Sequence, residues 1–283
     1  MTIDDLISQL ESLRLEWSNH WNGLPAVLTD CLSRLRHDDF CDHHSPRYLR
    51  LKRAAESMAE RVEAVHAAMA EQKREAAYHN RLHFADTLCA ITALMVASRP
   101  KASSLDQQHA GRAFRNEQEL LALLTMVVHD FQHDGRVNQA PMEMESISVN
   151  SADPIIGNFG VSDLDREWVA RLVRRTDPGT IFENHQAVNE LQFDLSDLRW
   201  MQAIINEADV LASALPNFGR SLAQALASEW SELRPEMARS VVSPAGRLYF
   251  LERLALFSTP GSALLGLQQL RDEQIRALRQ AIA

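Results

Sequence analysis

Cysteine is scarce: Cys31, Cys41 and Cys89 are the only three in 283 residues. An odd count without paired spacing argues against a disulfide framework and reads as reduced thiols. Long apolar runs are missing too, since no stretch reaches the roughly 18 residues that a membrane span requires. Glycine and proline contribute only 10 residues each, and apolar content is 46%, which excludes disordered and fibrous classes. Basic residues are outnumbered 29 to 38, for a net charge of −9, so general affinity for nucleic acid or an anionic membrane is not expected. Met1-Thr2-Ile3-Asp4-Asp5 lacks the basic and apolar parts of a secretory leader, and a cytoplasmic location is the expectation.

What remains is helical periodicity. Ile3, Leu6, Leu10, Leu13 and Trp17 repeat at three or four residues, and Asn22-Gly23-Leu24-Pro25 interrupts the pattern before a second helix over 28–35. Residues 48–77 predict one long amphipathic helix or two, 84–97 a core helix ended by Arg99-Pro100, and 117–128 another. Residues 139–160 contain Pro141, Pro154, Gly157 and Gly160 and little periodicity; they read as the longest irregular stretch, wrapped over the site. Ser162 with Asp163 and Asp165 caps a helix over 166–175 that Asp177-Pro178-Gly179 ends. Further helices are expected over 195–215, 222–233, 248–257 and 263–281, with a turn at Ser258-Thr259-Pro260-Gly261. No convincing alternating segment exists, so the fold class is all-α, a multi-helix bundle with its chemistry held between helices. Residues 1–70 read as an N-terminal helical segment packed on the core, and 71–283 as the domain carrying the site. Cys41, His43 and His44 are ligand types, but no second pair at finger spacing accompanies them, and a solvated loop is the expectation.

Two histidine clusters dominate the middle of the chain, His79-Asn80-Arg81-Leu82-His83 and His129-Asp130-Phe131-Gln132-His133-Asp134-Gly135. The apolar run Leu120 to Val128 leads directly into the second. Burying His129 and Asp130 there without partners would cost several kcal/mol, and a metal ion is an economical partner. Each histidine pair is spaced by four, which on a helix puts both rings on one face. Imidazole and carboxylate together suit zinc, iron, manganese and similar divalents.

These residues carry a family resemblance. Tyr78-His79-Asn80-Arg81-Leu82-His83-Phe84-Ala85-Asp86 is similar to the Y-H-N-x-x-H-A-x-D signature of class I 3′,5′-cyclic nucleotide phosphodiesterases. His129 to Asn138 resembles that family's H-D-x-x-H-x-G-x-x-N motif, of the HD superfamily of metal-dependent phosphohydrolases. Arg175-Thr176-Asp177 resembles its A-T-D segment and Glu207-Ala208-Asp209-Val210 its A-D-L stretch, in the same order along the chain. The resemblance implies a two-metal site. His83, His129, Asp130 and Asp209 would hold a tight ion, zinc or iron, and Asp130 would bridge to a second, magnesium or manganese. A hydroxide held between them would attack phosphorus, with His79 as general acid and His133 orienting water. Asp86 and Asp134 would be partners behind the ligands.

The family's proton-accepting glutamate has no collinear match. Glu183-Asn184-His185 looks like its E-N-H motif but follows Thr176-Asp177, which is the wrong order, so Glu145 or Glu143 is expected to accept the proton. The base-reading S-Q-x-G-F pattern is replaced by Ser243-Pro244-Ala245-Gly246-Arg247; Pro244 has no side-chain donor, and Arg247 either contacts a phosphate or ring or is a plain surface arginine. The leading expectation is a phosphodiesterase for cyclic mononucleotides. A nucleotide phosphomonoesterase and a non-catalytic metal-bearing module are the alternatives. Cyclic dinucleotides are disfavoured because no Gly-Tyr-Pro follows His129-Asp130. The expected partner is a small phosphoester, with no nucleic acid and no membrane, and a homodimer is compatible.

Overall fold

Side chains that can bond back to the chain's own N–H groups set half of the helix starts. Thr2 and Asp5 form a reciprocal capping box, and Ser45, Asn80, Ser162, Asp197, Ser243 and Thr259 each accept from a first-turn N–H. The computed structural model describes residues 1–37, 45–99 and 112–282. In chain order the helices are α1 (Ile3–Asn19), α2 (Leu24–Arg34), α3 (Pro46–Glu71), α4 (Arg81–Ser98), α5 (Arg112–Val128), α6 (Glu143–Gly157) and α7 (Asp163–Arg174). A 3-10 turn (Pro178–Thr180) leads into α8 (Ile181–Gln186), α9 (Leu198–Ala214), α10 (Pro216–Trp230), α11 (Pro235–Val241), α12 (Pro244–Arg253), α13 (Pro260–Leu264) and α14 (Leu267–Ile282). No strand occurs among the described residues, and the all-α expectation holds. None of the described helices is long and apolar enough to cross a membrane.

α4 is the axis of the molecule. It is buried on nearly every side, from His83 to Met95, as expected of a helix that is apolar all round. α1, α2, α5, α9 and α13 pack around it, and α3 lies along α5. One continuous core takes in Leu6, Leu28, Met58, Phe84, Leu124, Ile204, Leu251 and Leu267. α1 reaches the centre through Arg14, whose guanidinium donates to both oxygens of buried Asp86 at 2.9 and 2.8 Å.

Residues 139–160 depart most from expectation, because α6 fills most of this stretch. Met144, Ser148, Val149, Ala152 and Ile156 form its buried face at helical spacing, but small and polar residues weaken the apolar signal. Pro154 lies inside the helix, where it removes a backbone hydrogen bond and crowds the carbonyl four residues earlier. The turn expected at 258–261 instead caps the short α13, with Thr259 Oγ1 accepting from Ser262 N at 3.2 Å. α10 starts at Pro216, earlier than the periodicity of 222–233 suggests, and α8 and α11 are too short to show any period. Cys41, His43 and His44 lie outside the described residues.

Candidate metal centre

The spacing of four does not place either histidine pair on one helical face. Asn80 is the N-cap of α4, accepting from Leu82 N and His83 N at 2.9 and 3.2 Å, so His83 opens the helix while His79 precedes it. α5 ends at Val128, and the chain turns through Phe131 N to Val128 O and His133 N to Asp130 O, both 2.9 Å. Gln132 and Gly135 adopt φ of 64° and 83° in this turn. Each pair is therefore divided, one ring to each of two adjacent clusters.

The first cluster is His83, His129, Asp130 and Asp209, whose ligand atoms lie within 4.8 Å of one another. His83 Nε2 is 3.2 Å from Asp130 Oδ2, 3.3 Å from Asp209 Oδ1 and 3.3 Å from His129 Nε2. His129 Nε2 is 3.2 Å from Asp130 Oδ2 and 3.6 Å from Asp209 Oδ1. Ligands at roughly 2.0–2.2 Å around a tetrahedral ion stand about 3.3–3.6 Å apart, so the spacing fits one divalent cation. The tautomer fits as well. His129 Nδ1 donates to Met126 O at 2.7 Å, which leaves the Nε2 lone pair facing the cluster. Burial opposes a charge on His83, but hydrogen bonding and attraction from Asp130 and Asp209 outweigh it and push the ring up to about 9. His129 is raised in the same way, while the two rings hold Asp209 down to about 2 against its burial. The pocket draws positive charge to one point.

The second cluster joins His79, His133 and Glu229. His79 Nδ1 donates to Glu229 Oε1 at 2.5 Å, and Glu229 Oε2 accepts from Tyr78 N and His79 N at 2.9 and 3.1 Å. Burial opposes the Glu229 charge, yet His79 and these bonds bring it down to about 2. The His133 ring stacks on His79 with centroids 3.8 Å apart. Its Nδ1 accepts from Gly135 N at 3.1 Å, so Nε2 carries the proton. Burial, then the charge of His79, pushes His133 down to about 4. Gly135 is required twice, by its positive φ and because a Cβ there would stand 2.7 Å from Glu229 Cγ. Glu229 escapes sequence reasoning, for it lies 150 residues from His79 on α10 with no motif around it.

Glu145 lies nearby, at the start of α6. Asn138 Nδ2 reaches Glu145 Oε1 and Oε2 at 3.3 and 3.0 Å and Asp177 Oδ2 at 3.1 Å. Asn138 Oδ1 accepts from Met144 N at 2.9 Å, while Asp177 accepts from Met142 N and Gly179 N, both at 2.7 Å. The motif asparagine thus ties the end of the turn to α6 and to the segment after α7. Burial pushes Glu145 up to about 7, and the charges of Asp177 and Asp130 add to the shift.

Other positions singled out in the sequence lie elsewhere. Glu183 is an exposed side chain paired with Arg175 at 2.8 Å, and its neighbour Asn184 is spent on Arg175 O at 2.9 Å and Asn206 Oδ1 at 2.8 Å. Glu143 accepts from Gln139 N at 2.8 Å beside its own helix start. Asp134 points to solvent and pairs with Arg136 at 3.2 Å, since the turn after α5 rotates it away from His133. Asp86 is buried one turn below His83, but its hydrogen bonds go to Arg14. Pro244 opens α12, and Arg247 is half-buried with its guanidinium 5.3 Å from the Phe250 ring centroid. The chain matches no protein-family model and no curated protein. The family likeness rests on the motifs alone.

Proposed function

We propose that this chain is a metal-dependent phosphohydrolase that cleaves a phosphodiester, with 3′,5′-cyclic nucleotides as the leading substrate class. The observation that carries the reading is the convergence of two imidazole Nε2 atoms and two carboxylates beside a separate His79–Glu229 pair, whose His79 ring centroid is 5.7 Å from that of His83. His83, His129, Asp130 and Asp209 would hold a zinc or iron ion, and Asp130 would also serve a second, magnesium or manganese ion. Bound divalent ions supply positive charge for the phosphoryl oxygens and acidify coordinated water.

The protein groups divide the proton transfers. Glu229, ionised at neutral pH, accepts the Nδ1 proton of His79 and fixes that ring, leaving Nε2 to exchange a proton with the departing ester oxygen. His133 is neutral at that pH and offers an Nε2–H donor to a phosphoryl oxygen or to water. Glu145, with a pKa near 7, is matched to accepting a proton from attacking water. Manganese-loaded protein should hydrolyse cyclic AMP or bis(p-nitrophenyl) phosphate, and Asp130→Ala should lose both metal and activity. An absence of turnover on any phosphoester by metal-replete protein would overturn the reading. A nucleotide phosphomonoester is the second reading, favoured by the missing base contact: Pro244 offers no donor, and Arg247 is bonded to backbone carbonyls. A panel of mono- and diesters separates the two.

A further inference from the structure

We propose that the groove between α10, α14 and the start of α12 is a second binding site, for a small organic anion with an apolar body. The groove encloses about 570 Å³, within the range of small-molecule sites. Ala223, Val241, Pro244 and Leu278 give it apolar walls, Arg220 and Arg247 give it positive charge, and among the described residues no aspartate or glutamate lines it. In a chain of net charge −9 this is a local reversal of sign, which concentrates anions.

Arg247 is the anchor. Other part-buried arginines are neutralised: Arg14 by Asp86, Arg47 by Glu117 and Asp165, Arg81 by Glu63 and Glu75, Arg99 by Glu119. Arg247 instead donates only to neutral acceptors, Ser213 O at 2.5 Å, Ala214 O at 3.2 Å and Gln274 Oε1 at 2.7 Å. These contacts end α9 favourably, since carbonyls at a helix C-terminus attract cations. They use three of the five N–H donors and leave the net charge uncompensated. Burial correspondingly pulls the guanidinium down to about 10. Its seat is built for it: a Cβ on Gly219 would lie 2.5 Å from Arg247 Nη2, so glycine is the residue that admits the guanidinium. A carboxylate, sulfonate or phosphate meeting Arg247 and Arg220 would supply the missing charge while its apolar body lies on Ala223 and Val241.

The groove is not part of the metal centre. Arg220 and Glu229 lie on one helix nine residues apart, which is two and a half turns, so they face opposite ways. No residue of either histidine cluster lines the groove.

Calorimetric titration of the full chain with 2-naphthoate tests the site, with neutral 2-naphthamide as its isosteric control. Saturable binding of the naphthoate is expected, at least tenfold weaker for the amide, and weakened at least tenfold by Arg247→Gln. Arg247 also ties down the end of α9, so Ala223→Phe, which fills the groove and leaves those bonds intact, decides the question if Arg247→Gln does not fold. No saturable naphthoate binding, equal affinity for the amide, or unchanged binding by Ala223→Phe would each overturn the proposal.

Discussion

The two histidine clusters share residue types and adjoin in space, yet their chemistry is opposite. In the first, the Nε2 atoms of His83 and His129 converge with carboxylate oxygens of Asp130 and Asp209, 3.2 to 3.6 Å apart. In the second, Glu229 already takes the Nδ1 proton of His79, and Gly135 N already occupies Nδ1 of His133. Four ligand-type residues stand within reach of one another in the first and three in the second, but only the first sets two imidazoles against two carboxylates. Proximity of ligand types does not make a metal site; the direction of the protons does. The first cluster reads as a cation trap and the second as proton-handling machinery beside it.

The largest effect should come from breaking the first cluster. Asp209→Ala removes one carboxylate of the pair, and metal measured by mass spectrometry on purified protein should fall to background together with turnover. His79→Asn should behave differently: metal content stays at the wild-type level while kcat falls by about 10²–10⁴-fold, the usual worth of a general acid. If His79→Asn strips metal as Asp209→Ala does, the two clusters are one site and the comparison fails.

His185 gives a third environment, a buried histidine with no carboxylate partner among the described residues. Its Nδ1 meets Ser258 Oγ at 2.8 Å, and burial, helped by Arg271, pulls it down to about 4, where the carboxylates of the first cluster push His83 up to about 9. The unfolded chain takes up a proton near pH 6.5 that the folded chain refuses until about 4, so stability is complete above 6.5 and falls as pH drops across that window. About 3 kcal/mol should be lost, measured as the difference between wild type and His185→Asn in urea unfolding at pH 4 and 7. A difference that does not change with pH would mean that His185 titrates normally.

The all-helical class was legible because caps and apolar periods agree, as at Ser162 and along 120–128. His83, His129, Asp130 and Asp209 were legible as a group only because motif order stands in for distance; the structure brings all four together. The split of the pairs was not legible, since a spacing of four says nothing about where a helix begins or ends. Asn80 as N-cap and Gln132 at positive φ decide that locally. α6 was hidden by Pro154 and by serines on its buried side, and Glu183 was attractive only as letters, because Arg175 holds it at the surface.

Glu229 is where the comparison is finest, because its carboxylate bonds the His79 ring and the Tyr78 and His79 N–H groups and is not one of the four side chains of the first cluster. Glu229→Gln keeps the shape but replaces an ionised acceptor by a neutral amide, and a change of this kind behind a reacting imidazole typically costs about 10–100-fold. The loss should fall on kcat, with metal content unchanged and the alkaline limb of the pH–rate profile, where a general acid loses its proton, displaced. Gly135→Ala should reproduce the loss without removing either titratable group, since its Cβ would press on Glu229 Cγ at 2.7 Å and its φ of 83° disfavours alanine. Glu229→Asp, one methylene shorter but still ionised, should recover part of the rate if charge at His79 Nδ1 is what matters. Equal loss in Glu229→Asp and Glu229→Gln would show instead that the carboxylate serves only to hold Tyr78 N and His79 N, and the second cluster would then be a structural clasp.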